Sequence, residues 1–256
     1  MENISAEQAG QMNFTLPHDV VTLPSGGVFY KTKKKSVKIG YLTAADENTL
    51  ANVVSTGGNI KEGIILNLVR SKLYETDIRP EELLEGDIEA IMIFLRNTSF
   101  GPEYNVTIND PETSKPFATS FILDELNIKK PEVSPDNDGT FTTTLPKTGV
   151  TIKLKLLSYG ESLELEKMAD NYPQGRIPPR VTWKLMKHIV ELNGSEDRNQ
   201  ISMFVESMPI MDSKYIRKFL SENEPRLDLT KTILAPSGNK VDVSIAFGVE
   251  FFRPFF

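Results

Sequence analysis

One motif occurs twice in this 256-residue chain, and the repetition constrains the fold more than any other feature. Residues 23–28 read LPSGGV and residues 145–150 read LPKTGV. An alternating apolar stretch follows each motif, which is typical of a strand with one buried face. Each stretch leads to a hydroxyl residue with an acidic residue three positions later, TAAD at 43–46 and SYGE at 158–161, and this spacing predicts a helix start.

Further helices and a hairpin are predicted in each half. Apolar residues at helical spacing predict helices over residues 60–74 and 87–96 in the first copy and over residues 178–192 and 212–220 in the second. Alternation then predicts hairpins formed by residues 104–108 with 117–123 and by residues 227–229 with 241–251. Pro111 and Pro236, in the two turns, stand 125 residues apart.

We therefore predict an α+β fold built by tandem duplication of a module with a strand, two or three helices and a terminal β-hairpin. The alternative is that common elements recur by coincidence. The expected organisation has an N-terminal arm, two α+β modules, a linker rich in Pro, Asp, Asn and Thr, and an aromatic C-terminal tail on the second module. In chain order the segments are the arm (1–22), the first module (23–128), the linker (129–144) and the second module (145–256).

Composition excludes several kinds of site. The chain has no cysteine, which rules out disulfides, thiolate zinc sites, iron–sulfur clusters and a cysteine nucleophile. A net charge of -6 argues against nucleic-acid binding. The longest apolar run, residues 90–95, is far shorter than the roughly 20 residues that cross a bilayer. The first residues lack the basic and apolar regions of a signal peptide, so we expect a protein made in the cytoplasm.

No set of residues points to catalysis, to a metal or to another cofactor. The two histidines, His18 and His188, are far apart in sequence, and His188 is typical of a packed helix residue. Residues 136–139 (DNDG) resemble the start of a calcium loop but lack its later ligands, so a turn is expected. The acidic runs around residues 81–85 and 161–166 are typical of solvated helix faces. We therefore expect a protein that is not an enzyme.

Two segments are candidates for binding a partner protein. The basic cluster Lys33, Lys34 and Lys35 is either the tip of a hairpin or a binding site for an acidic partner. The chain closes with FFRPFF, in which Phe251 continues the alternating strand pattern and is expected in the core. The remaining residues either dock back onto the fold or fill a pocket of a partner, and they are Phe252, Arg253, Pro254, Phe255 and Phe256.

The chain resembles the baseplate hub subunits and hub assembly proteins of T-even-type contractile-tailed bacteriophages. The resemblance rests on short motifs in a fixed order over nearly the whole chain: LPSGGVFY (23–30), YLTAADE (41–47), LRNTSFGPEY (95–104) and EFFRP (250–254). It implies a non-enzymatic structural or assembly protein of the tail baseplate hub, located in the virion. The implied partners are other phage baseplate and hub proteins, with no nucleic acid, membrane insertion or small-molecule substrate.

Several alternatives stay open at this point. A hub subunit remains in the finished particle, whereas a transient hub assembly chaperone is absent from the mature virion. A cell-wall-degrading hub enzyme and a generic adaptor are the rivals from other classes.

Many relatives carry Cys pairs at the two hairpin turns, but this chain has Asn109, Asp110 and Pro111 at the first turn and no Cys at the second. The resemblance therefore implies no metal here, and we expect backbone geometry and packing to hold the turns.

Overall fold

The computed structural model describes residues 17–55, 62–247 and 249–252. In these residues it contains seven α-helices and eleven short strands. All strand pairs are antiparallel, and they form four two-stranded sheets and one three-stranded sheet. The structure therefore confirms the α+β class. The duplication and the segment boundaries stay predictions.

The elements alternate between hairpins and helices along the chain. Up to residue 129 they are β1 (His18–Thr22), β2 (Ser36–Gly40), α1 (Ala44–Ser55), α2 (Glu62–Lys72), α3 (Glu85–Phe100), β3 (Glu103–Asn109), β4 (Pro116–Ile122) and β5 (Ile128–Lys129). The rest comprises β6 (Thr140–Thr144), β7 (Thr151–Lys155), α4 (Tyr159–Asp170), α5 (Arg180–His188), β8 (Ile189–Leu192), α6 (Arg198–Ser207), α7 (Ile210–Asn223), β9 (Arg226–Leu227), β10 (Thr230–Leu234) and β11 (Lys240–Ser244). The sheets are β1-β2, β3-β4, β5-β9, β6-β7-β8 and β10-β11.

Both predicted helix starts are confirmed. The Thr43 N–H donates to the Asp46 carboxylate at 2.7 Å, and the Asp46 N–H donates back to the Thr43 hydroxyl at 3.4 Å. The Ser158 N–H donates to Glu161 at 3.1 Å, and the Glu161 N–H donates to the Ser158 hydroxyl at 3.2 Å. These reciprocal bonds satisfy backbone donors that a helix leaves unpaired in its first turn.

Two fully buried carboxylates hold the repeated Leu-Pro loops. Asp87 lies in the first turn of α3 and accepts the Ser25 N–H at 2.9 Å, together with the Tyr30 hydroxyl. Asp212 lies in the first turn of α7 and accepts the Lys147 N–H at 2.8 Å and the Thr148 N–H at 3.0 Å. Each loop is thereby fixed to a helix more than 60 residues further along the chain.

The two predicted modules share one hydrophobic core and contact each other closely. Leu84 and Ser158 form an isolated antiparallel bridge, and β5 pairs with β9. Gly86 in α3 lies against β9, since a Cβ atom built on it would stand 2.3 Å from the Pro225 carbonyl oxygen. A larger residue at position 86 would therefore push α3 and β9 apart.

Several predicted boundaries were wrong. The helix expected over residues 178–192 ends at His188, because Ile189–Leu192 pairs with β7 as a strand. The final strand ends at Ser244 rather than Phe251, and its partner is Thr230–Leu234 rather than residues 227–229. A 3₁₀ turn over Val249–Phe252 follows instead. Tertiary pairing decides these positions, which periodicity alone does not resolve.

The expected arm and linker contain paired residues. His18–Thr22, in the expected arm, forms β1 and pairs with β2. Thr140–Thr144, in the expected linker, forms β6 and pairs with β7, and its Phe141 is buried. The expected turn at residues 136–139 is present, with the Gly139 N–H donating to the Asp136 carbonyl at 2.9 Å.

Replacing Asp212 by asparagine removes one anionic acceptor from the second Leu-Pro loop. The amide NH₂ cannot accept, so at least one of the N–H groups of Lys147 and Thr148 loses its partner. We expect Asp212→Asn to lower the free energy of unfolding by about 1–3 kcal/mol, measured by urea unfolding. Asp170→Asn, at an exposed carboxylate at the end of α4, is the matched control and should change it little. Equal losses in the two variants would contradict the role of Asp212.

Candidate docking surface

The basic cluster lies in the loop between β1 and β2, and much of its charge is satisfied within the chain. Lys33 donates to the carbonyl oxygens of Val28 at 2.8 Å and Asn137 at 2.9 Å. Lys34 pairs with Glu75 at 3.0 Å and Asp77 at 2.6 Å, and these bonds raise its pKa. Lys35 is exposed and has no ion pair with any described residue.

The aromatic segment near the end of the chain enters the core. Phe251 is fully buried and Phe252 is 2% exposed, and their rings meet edge to face at 4.9 Å. The Arg96 guanidinium lies over the rings of Phe251 and Tyr104, 5.8 Å and 5.2 Å from their centroids. The predicted partner-binding residues Arg253, Pro254, Phe255 and Phe256 lie outside the described residues.

Arg96 fixes this segment through backbone bonds as well as ring contacts. Its side chain is buried in α3 and donates to the carbonyl oxygens of Phe251 at 3.2 Å, Gly101 at 2.5 Å and Glu103 at 2.8 Å. Burial lowers the pKa of this arginine, but the three acceptors and two rings still surround a cation. Nothing in the sequence around position 96 indicates that this arginine is buried.

A carboxylate joins the two hairpin turns. Asp110 is buried and accepts the N–H groups of Glu112 at 2.9 Å and Thr113 at 3.2 Å within its own turn. It also accepts the N–H of Ser237 in the other turn at 2.9 Å. Burial opposes ionisation of Asp110, yet these donors lower its pKa overall. The turns are thus held by a side chain, not only by the backbone geometry and packing expected from the sequence.

An open groove between α2, α4 and α5 is the most distinctive concave surface of the described residues. It has a volume of about 700 Å³, and Trp183, the only tryptophan in the chain, lies on its wall. Trp183 meets Tyr172 edge to face with ring centroids 5.6 Å apart. Leu66 and the half-exposed Met168 add apolar surface. We call this surface the Trp183 groove, and its tryptophan, tyrosine and arginine content is typical of binding hot spots.

Methionines are concentrated in the part of the chain that contributes most of the groove, where Met168 lines the groove and Met186 lines an adjoining cavity. Five of the eight methionines fall between positions 168 and 211. None of the five is fully buried, and Met203 is 71% exposed, whereas Met92 in α3 is in the core. Flexible thioether side chains suit surfaces that adapt to a partner. The concentration of methionine is the sequence signal that could have located this surface.

Basic side chains predominate along the groove. The Trp183 groove adjoins a second cavity that shares Met168 and Trp183. Together they are lined by five basic side chains, Arg70, Lys155, Lys167, Lys187 and Arg198, and by three acidic ones, Glu81, Glu161 and Glu164. This local excess of positive charge occurs in a chain of net charge -6. The groove therefore favours an acidic, apolar occupant.

Carboxylates accumulate where α3 meets β9. Burial raises the pKa of Glu89 to about 8, and the nearby charges of Glu85 and Glu224 add to the shift while Arg226 opposes it. One carboxylate oxygen of Glu89 is buried and has no hydrogen-bond partner. A hydrolase acid must reach the bond that it protonates. The buried oxygen Oε2 of Glu89 does not meet that requirement, although burial raises the pKa of the carboxyl group.

His188 is a further titratable residue that the sequence offered as a candidate. Its ring nitrogen Nδ1 lies 2.9 Å from the Lys155 carbonyl oxygen, and burial lowers its pKa. The structure thus places it as a packed residue at the end of α5.

Among the described residues, no cluster of three or more His, Asp or Glu is arranged to hold a metal ion. No described helix is long and apolar enough to traverse a bilayer.

Comparison with known proteins gives a match at the level of a protein family. A family model described as T4 bacteriophage base plate protein matches residues 19–253. No curated protein and no solved structure matches the chain. The matched range includes both repeated Leu-Pro loops, the Trp183 groove and both hairpins.

The raised pKa of Glu89 predicts a pH-dependent stability. The folded protein keeps this proton up to about pH 8, whereas the unfolded chain loses it near pH 4.5. Stability should therefore fall as pH rises through this window. Because Glu89 is partly exposed, we expect a loss of about 2–4 kcal/mol between pH 5 and 9 relative to Glu89→Gln. Urea unfolding across this range tests it, with the exposed Glu196→Gln as control; parallel curves for the wild type and Glu89→Gln would refute it.

Proposed function

The chain belongs to the T4 bacteriophage base plate protein family, and we propose that it is a non-enzymatic structural or assembly component of the tail baseplate hub. It acts by docking onto other baseplate and hub proteins. The observation that carries this proposal is the family match over residues 19–253, which takes in nearly every described residue. The match supports a role for the whole fold rather than for one motif.

The packing of the terminal segment supports a docking mode. Arg96 and the buried Phe251 and Phe252 hold the chain up to residue 252, so the residues that follow leave from a fixed point. Phe252 serves as the anchor of this segment, and Arg253, Pro254, Phe255 and Phe256 contact the partner. Aromatic and arginine side chains contribute most when they fill a partner's pocket.

The basic cluster provides a second contact of a different kind. Lys35 is exposed, whereas Lys33 and Lys34 are already bonded within the chain. An acidic surface on a partner would be attracted to this loop before the aromatic contacts form. Exposed charges of this type change the rate of association more than its final strength.

Two roles within the hub remain distinct, a permanent subunit and a transient assembly chaperone. Mass spectrometry of purified baseplate intermediates and of mature virions separates them. The proposal predicts the protein in the intermediates in either case. Its presence in the virion as well identifies a subunit, and its presence only in intermediates identifies a chaperone. Absence from both preparations would contradict the proposed function, and cell-wall hydrolysis by the purified protein would favour the rival hub enzyme.

Deleting Pro254–Phe256 tests the docking mode directly. We expect the shortened chain to keep its circular dichroism spectrum and urea midpoint, because the deleted residues follow the buried pair Phe251 and Phe252. Affinity for purified hub intermediates should fall by about tenfold or more. Leu234→Ser, at a 66% exposed apolar position, serves as the control and should bind normally. Unchanged affinity after the deletion would show that these residues do not dock.

A further inference from the structure

The Trp183 groove has no occupant among the described residues, although its apolar floor, its aromatic pair and its excess of basic side chains form a binding surface. We propose that residues 1–16 of the same chain occupy this groove. This inference does not depend on the proposed hub function, because it concerns the isolated protein. Three observations carry it: the chemistry of the segment, its point of attachment and its length.

The chemistry of the segment complements the groove. Residues 1–16 read MENISAEQAGQMNFTL and contain two glutamates but no lysine or arginine. Met12, Phe14 and Leu16 place apolar side chains near the attached end. Lys167 and Arg198, which line the groove and its neighbouring cavity, have no ion pair with any described residue, although one guanidinium nitrogen of Arg198 donates to the carbonyl oxygens of Met186 and Ile189. Their positive charges can therefore attract an acidic segment.

The point of attachment lies near the C-terminal end of α2, the helix that borders the groove. The Tyr41 N–H donates to the Pro17 carbonyl oxygen at 3.2 Å, and the His18 ring lies 5.0 Å from the ring of Tyr74, which follows the last residue of α2 by two positions. Arg70 and Leu66, which line the groove, lie within α2. At about 1.5 Å per helical residue, Leu66 lies about 9 Å from Lys72 along the helix.

The length of the segment is more than sufficient. Sixteen extended residues reach up to about 50 Å, about three times the roughly 17 Å length of α2. Tethering also raises the effective concentration of the segment at the groove to the millimolar range. A weak contact between residues 1–16 and the groove would therefore be populated within one chain.

The single tryptophan makes occupancy directly measurable, because all tryptophan fluorescence of the protein comes from Trp183. The experiment compares the full chain with a chain that lacks residues 2–16, and a chain that lacks residues 253–256 is the matched control truncation. Loss of residues 2–16 should shift the Trp183 emission to the red and raise the acrylamide quenching constant roughly twofold, since water reaches the ring. The control truncation should leave both values unchanged.

Adding the segment back tests its chemistry. A synthetic peptide of residues 1–16 at millimolar concentration should restore the original emission of the shortened chain and should not affect the full chain. The same peptide with Glu2→Lys and Glu7→Lys should restore it poorly. The proposal is overturned if the full and shortened chains give the same emission and quenching. It is also overturned if the difference disappears on dilution of the full chain, because a second copy would then supply the occupant.

Discussion

Burial of two carboxylates, Asp87 and Asp212, is the constraint on which the rest of this fold depends. The sheets contain only two or three strands, and isolated two-stranded hairpins are marginally stable in water. The loops and helices that pack against these sheets must therefore stabilise them. Each carboxylate achieves this by joining the start of a helix to the backbone of a distant Leu-Pro loop. Transferring a carboxylate from water into the protein interior is costly unless it is hydrogen-bonded. The N–H groups of the two loops must therefore stay bonded to these carboxylates.

The same two residues give the predicted duplication a physical meaning. Asp87 and Asp212 stand 125 residues apart, and each accepts the N–H of the residue that follows Leu-Pro. Both halves also have a helix start with reciprocal capping bonds and a later hairpin. The second half has an added strand, β8, between α5 and α6. Common descent of the halves stays a prediction, but the shared bonds are specific enough to define which positions correspond.

Local sequence signals predicted local structure well and tertiary packing poorly. Helix starts at Thr43 and Ser158 and the turn at residues 136–139 depend on neighbouring residues, and all were predicted. The strand over Ile189–Leu192 depends on pairing with β7, and the burial of Arg96 depends on Phe251, which is 155 residues away. Neither could be read from local periodicity. The Trp183 groove was missed for a related reason: an aromatic residue and a methionine on amphipathic helices usually belong to the core.

Asp110 shows how a chain without cysteine can fix two hairpin turns. A metal site would need several ligands from both turns, whereas one carboxylate here accepts three backbone N–H groups, two local and one from residue 237. Hydrogen bonds to an ionised acceptor are stronger than those between neutral groups. Asn239 donates to Glu112 at 3.1 Å beside this contact, so a second bond crosses between the same turns. The contact between the two hairpin turns therefore depends on one buried aspartate, and the N–H groups that it accepts lower its pKa and favour its ionised form.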